Sequence, residues 1–337
     1  HPGAWRDRGE EEYLKLIDTA IVWARELDVH LILDWHSIGN LHAEKFQHNM
    51  YVTTVEETHE FWDIVSERYA DEPTVMGYDL LNEPNWNLSG NALLRQLYKE
   101  ITDSIRTVDN KHMIFIEGNW FANDFTGLTP PWDDNMVYSP HKYWSFNDQG
   151  SIQWVLSIRD VYDVPLFFGE SGENSNPWFT DAIRLFEENG LGWAWWPLKK
   201  IESISCPLSV IKTPEYETLL EYWKGNTTRP SATFAKATLL EMAENLKTEN
   251  CVFQKDVIDA MFRQVYDNTT LPYYIQQIPG VVFASDFSLG RNNIAYFDDG
   301  IADYHVSTSN YTAWNLGWAY RNDGVDIEKI TDNENTN

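Results

Sequence analysis

Glu83 and Glu170 each follow an apolar run: Tyr78-Asp-Leu-Leu leads into Asn82-Glu83-Pro84, and Leu166-Phe-Phe leads into Gly169-Glu170-Ser171. Burial at the end of such a run penalises an unpaired charge, so a carboxylate retained there points to chemistry. Two carboxylates suit glycoside hydrolysis, in which one protonates the leaving oxygen and the other attacks or stabilises the anomeric carbon. In the retaining geometry the pair stands roughly 5 Å apart, and the charge on one keeps the other protonated near neutral pH. The bland alternative is a pair of exposed glutamates at helix starts, favoured by the helix dipole.

Other polar and aromatic residues recur at the last positions of apolar runs: His36, then Asn82, then His141 with Tyr143, then Trp195-Trp196. Side chains from distant segments meet in this way when parallel strands end around one pocket, as at the C-terminal face of a (β/α) barrel. From residue 9 to about 225, amphipathic helix patterns alternate with short β-branched or aromatic runs, the βαβα grammar of a parallel sheet. The first helix, about 9 to 27, places Leu14, Ile17, Ala20, Ile21, Ala24 and Leu27 on one face. Thr54 and Glu57 have the spacing of a capping box for a second helix, with Phe61, Ile64 and Val65 turned inward.

Strand candidates are His30–His36, Met76–Asn82, Met113–Glu117, Met136–His141, Leu166–Glu170 and Gly192–Trp196. A closed barrel needs eight, so the expectation is an α/β (β/α)8 barrel whose first two strands lie upstream of His1. Helical stretches are expected near 215–224, 233–247 and 255–267. Residues 278–330 run in short alternating stretches without a helical period and read as all-β. The domain reading is a barrel over 1–225, a helical or linker segment over 226–275, and a partial β-sandwich over 276–337.

With 52 acidic and 25 basic residues among 337, the net charge of -27 disfavours nucleic acid and anionic polysaccharides but not neutral glycans. Aromatic residues make up 15% of the chain and include 16 tryptophans, enough to fill a core and still line a sugar-binding cleft. Cys206 and Cys251 belong to no CxxC pair and are either one disulfide or two inert thiols. There is no apolar run long enough for a bilayer.

The ordered set Asp34-Trp-His36, Leu81-Asn-Glu-Pro84, His141-x-Tyr143, Phe168-Gly-Glu170 and Trp195-Trp196 resembles glycoside hydrolase family 5 over residues 1 to about 225. The resemblance implies Glu83 as acid/base and Glu170 as nucleophile. It implies Asn82 as donor to the sugar 2-hydroxyl, and His36, His141, Tyr143 and Trp196 as supporting or substrate-binding positions. Tyr143 and His141 would hydrogen-bond around Glu170, and Trp196 would give the sugar ring an apolar floor, with strand alternation leaving Trp195 as the other choice. Asp7, Asp34, Asp79 and Glu117 read as ion-pair or hydrogen-bond partners. The loop from Ser37 to Thr54 and the aromatics Trp86, Trp120, Phe121 and Trp144 read as subsite-forming.

The tail, with Ala284-Ser-Asp-Phe287 and Tyr320-Arg-Asn-Asp-Gly-Val-Asp-Ile-Glu328, resembles the first half of a family 6 carbohydrate-binding module. Phe283 and Ser285 stand where that family often has glutamates, so its calcium is not expected. Trp318 and Tyr320 are candidates for stacking on sugar.

Together these imply a secreted, monomeric retaining endo-β-1,4-glucanase acting on a neutral β-glucan, with no cofactor, metal, nucleic acid or membrane partner. β-Mannanase and xyloglucanase activities fit the same scaffold. Two other classes compete: a metal-dependent hydrolase using His36, His42, His48 and His141, and a non-catalytic sugar-binding barrel.

Overall fold

The computed structural model describes residues 2–36, 54–85, 91–298 and 314–330. His42, His48, Trp86 and the loop up to Thr54 therefore lie outside the described residues. Pro2 favours a helical first position, and residues 2–8 form helix α1 (Pro2–Arg8), which buries Trp5. Gly9, at φ 78°, separates it from α2 (Glu10–Leu27), whose Leu14, Ile21 and Ala24 face the core. Glu10, Glu11 and Glu12 occupy its first turn, where the helix dipole favours them.

Then follow β1 (Leu31–Asp34), α3 (Val55–Tyr69), β2 (Val75–Asp79), α4 (Ala92–Ile105), β3 (Met113–Ile116), the single turn α5 (Asn119–Ala122) and β4 (Met136–Tyr138). Thr54 caps α3, its hydroxyl accepting from the Glu57 amide at 2.6 Å. The four strands make one parallel sheet in the order β1-β2-β3-β4, with Asp34 opposite Asp79, Asp79 opposite Phe115 and Ile116 opposite Tyr138. Gly77 is needed in β2 because a Cβ there would lie 2.4 Å from the Met113 carbonyl oxygen. The strands are shorter than the sequence runs, although backbone bonds continue past their ends, as from the Trp35 amide to the Asp79 carbonyl and from the Asn82 amide to the Trp35 carbonyl.

Next come β5 (His141–Lys142), α6 (Gln149–Tyr162), β6 (Phe167–Phe168), β7 (Glu170–Ser171), α7 (Asn176–Glu188) and β8 (Gly192–Trp193). The remaining elements are β9 (Lys199–Ile201), β10 (Leu208–Val210), α8 (Pro214–Trp223), α9 (Ala232–Asn245) and β11 (Val252–Phe253), with β10 parallel to β9 and antiparallel to β11. The helix expected over 255–267 is a helical run interrupted by a π turn at Asp259–Arg263. Cys206 and Cys251 are both free thiols. No helix among the described residues is long and apolar enough to cross a membrane.

The chain divides into two compact units, His1–Lys142 with Ile152–Gly169, and Tyr143–Ser151 with Glu170–Asn337. In the first, Trp35 stacks on Phe61 at 4.1 Å, with Trp5 edge-on to the same ring at 5.3 Å. In the second, α7 packs on the helical run, and Thr180 donates to the Ala260 carbonyl at 2.9 Å. Trp35, Trp62 and Trp178 are fully buried, so part of the tryptophan surplus is core. Their indole N–H groups find Thr58 Oγ1 at 3.3 Å, Leu80 O at 2.9 Å and Ser145 O at 2.8 Å.

The expected sandwich differs most: among the described residues of 276–330 no strand forms, and Ala284–Asp286 is a 3-10 turn. Asparagine side chains here bond backbone groups that would otherwise enter a ladder. Asn315 donates to the carbonyls of Ala319 and Arg321, both at 2.8 Å, and accepts from the Ile327 amide at 2.8 Å. Asn292 closes a similar loop on Asp298.

Candidate active site

The site residues fall in both units. In the first, β2 runs through buried Leu80, Leu81 and Asn82 to Glu83. Glu83 has φ 46°, a left-handed value costing a non-glycine residue about 1–3 kcal/mol, so its surroundings must impose it. The Glu83 amide donates to Glu117 Oε2 at 2.5 Å, tying the turn to the end of β3. His141 lies between the two acids, with Nδ1 2.9 Å from Glu83 Oε1 and Nε2 3.2 Å from Glu117 Oε1.

An imidazole facing carboxyl oxygens through both nitrogens requires a proton on each line, so the trio holds two protons whichever group carries them. Burial pushes the Glu117 carboxyl up to about 7, opposed by the nearby His141. Asp79 is pushed well above the ordinary carboxylate range, first by burial and then by the charges of Glu117 and Asp34. His36 bonds Asp34 through Nδ1 at 2.7 Å. Asp7 is exposed on α1. Gly169 allows close approach: a Cβ there would stand 2.2 Å from Ser139 Oγ and 3.5 Å from His141 Nε2.

Trp120, Phe121 and Ala122 have φ values of 57°, 58° and 60°, a left-handed turn that leaves Trp120 64% exposed. The Phe121 amide bonds the carbonyl of Pro84, the residue after Glu83, at 3.3 Å. These two aromatics, expected near subsites, are thus tied to the Glu83 turn.

In the second unit the Tyr143 hydroxyl donates to Glu170 Oε1 at 2.7 Å. The Trp196 amide bonds the Ser171 carbonyl at 2.7 Å, and a Cβ on Gly172 would lie 2.2 Å from Trp196 O, so this glycine lets the two segments touch. Trp195 packs against Trp178, Phe179 and Trp193, whereas Trp196 is 41% exposed. The alternation therefore leaves Trp196 as the ring open to solvent.

Glu117 has a larger part than its sequence reading as a hydrogen-bond partner, since it fixes the Glu83 backbone and shares His141. Its signal was its place: Glu117 follows the apolar run Met113–Ile116 as Asn82-Glu83 follows the run ending in Leu80-Leu81.

A model of the cellulase family, glycosyl hydrolase family 5, matches residues 3–201. The chain belongs to that family. Endoglucanase 3 of Fibrobacter succinogenes is 26% identical over 166 residues, 44% of this chain and 23% of that protein. Endoglucanase A of Evansella cellulosilytica is 24% identical over 237 residues, 67% of this chain and 46% of that protein. The chain thus spans less than half the length of these two relatives. The crystal structure of a native β-glucanase from Saccharophagus degradans superposes with a TM-score of 0.52 at 25% identity, covering 72% of this chain and 76% of that one. Family and superposition give a (β/α)8 TIM-barrel-like α/β fold, the class expected from the sequence.

Proposed function

We propose that this family 5 chain is a retaining endo-β-1,4-glucanase. The observation that carries the reading is the pair of strand-end glutamates with different partners, Glu83 on His141 and Glu170 on Tyr143. Glu170 attacks the anomeric carbon while Glu83 protonates the departing glycosidic oxygen; Glu83 then takes a proton from the water that cleaves the glycosyl ester. Asn82 donates to the sugar 2-hydroxyl, Tyr143 holds the charge of Glu170, Trp196 provides a floor for the ring, and His36 lies at the sugar-binding edge. His141 carries a proton between Glu83 and Glu117.

The substrate in this reading is a neutral β-glucan, in keeping with a net charge of -27 that repels anionic chains. The endoglucanase names of the relatives and the β-glucanase neighbour support glucan over mannan. The protein is read as a secreted monomer that needs no cofactor. Residues 1–225 are assigned to the catalytic barrel, 226–275 to a helical connection and 276–337 to a segment related to family 6 carbohydrate-binding sandwiches.

The test is hydrolysis of carboxymethyl-cellulose, barley glucan, xyloglucan and mannan by the chain and by Glu83→Gln and Glu170→Gln. Glucan cleavage that both substitutions suppress supports the reading. Undiminished cleavage in either variant, or none by the folded chain on any polymer, counts against it.

A further inference from the structure

The start of α7 is buried: Ser171, Asn174, Ser175 and Asn176 are each at most 2% exposed. Amide groups that no earlier helical turn can bond must therefore find partners inside the protein. Ser175 Oγ accepts from the Trp178 amide at 3.4 Å, and Pro177 has no N–H to satisfy. The Asn176 amide has neither answer, and it bonds the carbonyl of Asn322 at 2.8 Å.

Asn322, itself fully buried, completes the rest of this turn. Its side-chain amide donates to the Asn174 carbonyl at 2.8 Å and to Asn176 Oδ1 at 3.1 Å, while its Oδ1 accepts from Trp314 Nε1 at 3.1 Å. Its backbone amide donates to Asp256 Oδ2 at 2.8 Å, and the same oxygen accepts from Asn176 Nδ2 at 2.9 Å.

The two stretches that carry the Glu170–Tyr143 pair both end on this turn. Glu170 lies on the stretch that leads into α7. The stretch after Tyr143 is tied to Trp178, whose indole N–H donates to the Ser145 carbonyl at 2.8 Å and whose carbonyl accepts from Asn147 Nδ2 at 3.1 Å. Trp144, between Tyr143 and Ser145, packs on Trp314 with ring centroids 5.0 Å apart, so the C-terminal segment bears on both stretches.

We propose that Asn322 is a positioning residue for Glu170: by completing the buried start of α7 it fixes the two stretches bound there, and with them the Glu170 carboxylate against Tyr143. The C-terminal segment then acts as a brace of the nucleophile and not as a separate sugar-binding attachment. An attacking oxygen displaced by about 1 Å can lose about 100-fold in rate, so a distant brace has a kinetic signature. The role of Glu170 as nucleophile is taken from the glucanase reading.

Trapping with 2,4-dinitrophenyl 2-deoxy-2-fluoro-β-cellobioside tests this in the full chain. A Glu170 carboxylate oxygen attacks the anomeric carbon, the bond to dinitrophenolate breaks without needing a proton, and the fluorine slows hydrolysis of the ester, so the label read by mass spectrometry reports the nucleophile. Asn322→Ala is expected to lower the maximal labelling rate about 10- to 100-fold with the half-saturating concentration within about twofold. It should also speed amide hydrogen exchange over residues 171–178 about 10-fold or more. Asp256→Ala should act alike, whereas Asp256→Asn, which keeps an oxygen for the Asn322 amide, should label nearly as the parent does; this pair carries the same test if Asn322→Ala does not fold. Thr180→Ala, which removes the bond to the Ala260 carbonyl further along α7, should leave labelling unchanged and controls for lost stability. Unchanged labelling in the folded Ala variants of Asn322 or Asp256, or an equal loss in Thr180→Ala, would overturn the brace. If the parent takes no label, the glucanase reading falls and exchange decides alone: faster exchange in the variants retains the brace on α7, and equal exchange removes it.

Discussion

Glu83 sits among titratable groups, with His141 on its carboxylate and Glu117 on its amide, whereas Glu170 takes its bond from the neutral hydroxyl of Tyr143. The contrast matches two chemical tasks. An acid that later becomes a base benefits from neighbours that store and return a proton near neutral pH, and Glu117 is poised there by burial at about 7. A nucleophile must stay ionised, and a neutral donor favours its charged form without supplying a titrating group of its own. The backbone follows the same division: Glu83 is held in a strained turn, while Glu170 lies in a strand.

The largest test of this contrast is the leaving group. Under the proposed assignment, Glu170→Gln should lower activity about a thousandfold or more on every substrate, because no glycosyl ester could then form. Glu83→Gln should be as damaging on polymers yet far milder on dinitrophenyl glycosides, whose leaving group needs no proton. Steady-state rates on both substrates check this, and equal losses would erase the distinction.

Tyr143→Phe comes next, removing a bond to a charged acceptor worth about 1.5–3 kcal/mol, so kcat/KM should fall about 10- to 100-fold. The pH profile should keep its shape, since no group beside Glu83 changes.

Glu117→Gln should instead move the profile. The folded-state pKa of Glu117 is raised from 4.5 to about 7, so its contribution to stability is full below pH 4.5 and is lost as pH rises through 7. Relative to the parent chain, the variant should therefore gain Tm at pH 8 over pH 5, read by thermal unfolding across that range. A parallel offset at all pH values would contradict the assignment. The smallest kinetic effect is expected from Gly77→Ala, which overpacks the contact with Met113 and lowers stability by about 1–3 kcal/mol while leaving the kinetics of properly folded enzyme unchanged.

The strand-end positions of Glu83, Glu170, His141 and Tyr143 were legible because an apolar run that stops at a polar residue is a local pattern. The cap at Thr54 was legible from its spacing to Glu57, whereas alternation alone left Trp195 and Trp196 both open and only the family resemblance favoured Trp196. The bond of the Glu83 amide to Glu117 was not, since it joins residues 34 apart in sequence through one backbone turn. Alternation suggested strands in the C-terminal segment, but among its described residues none form, and Asn292 and Asn315 satisfy the local backbone with their side chains. Helix α1 escaped notice because seven residues are too few to show a helical period.

The division of labour is tested most directly by azide rescue of Glu83→Ala and Glu170→Ala on an activated β-cellobioside, with the anomeric configuration of the product read by NMR. If Glu170 is the nucleophile and Glu83 the acid/base, azide intercepts the glycosyl-enzyme of Glu83→Ala to give the β-glycosyl azide, and attacks Glu170→Ala directly to give the α-glycosyl azide. The same anomer from both variants, or the two exchanged, would contradict the assignment.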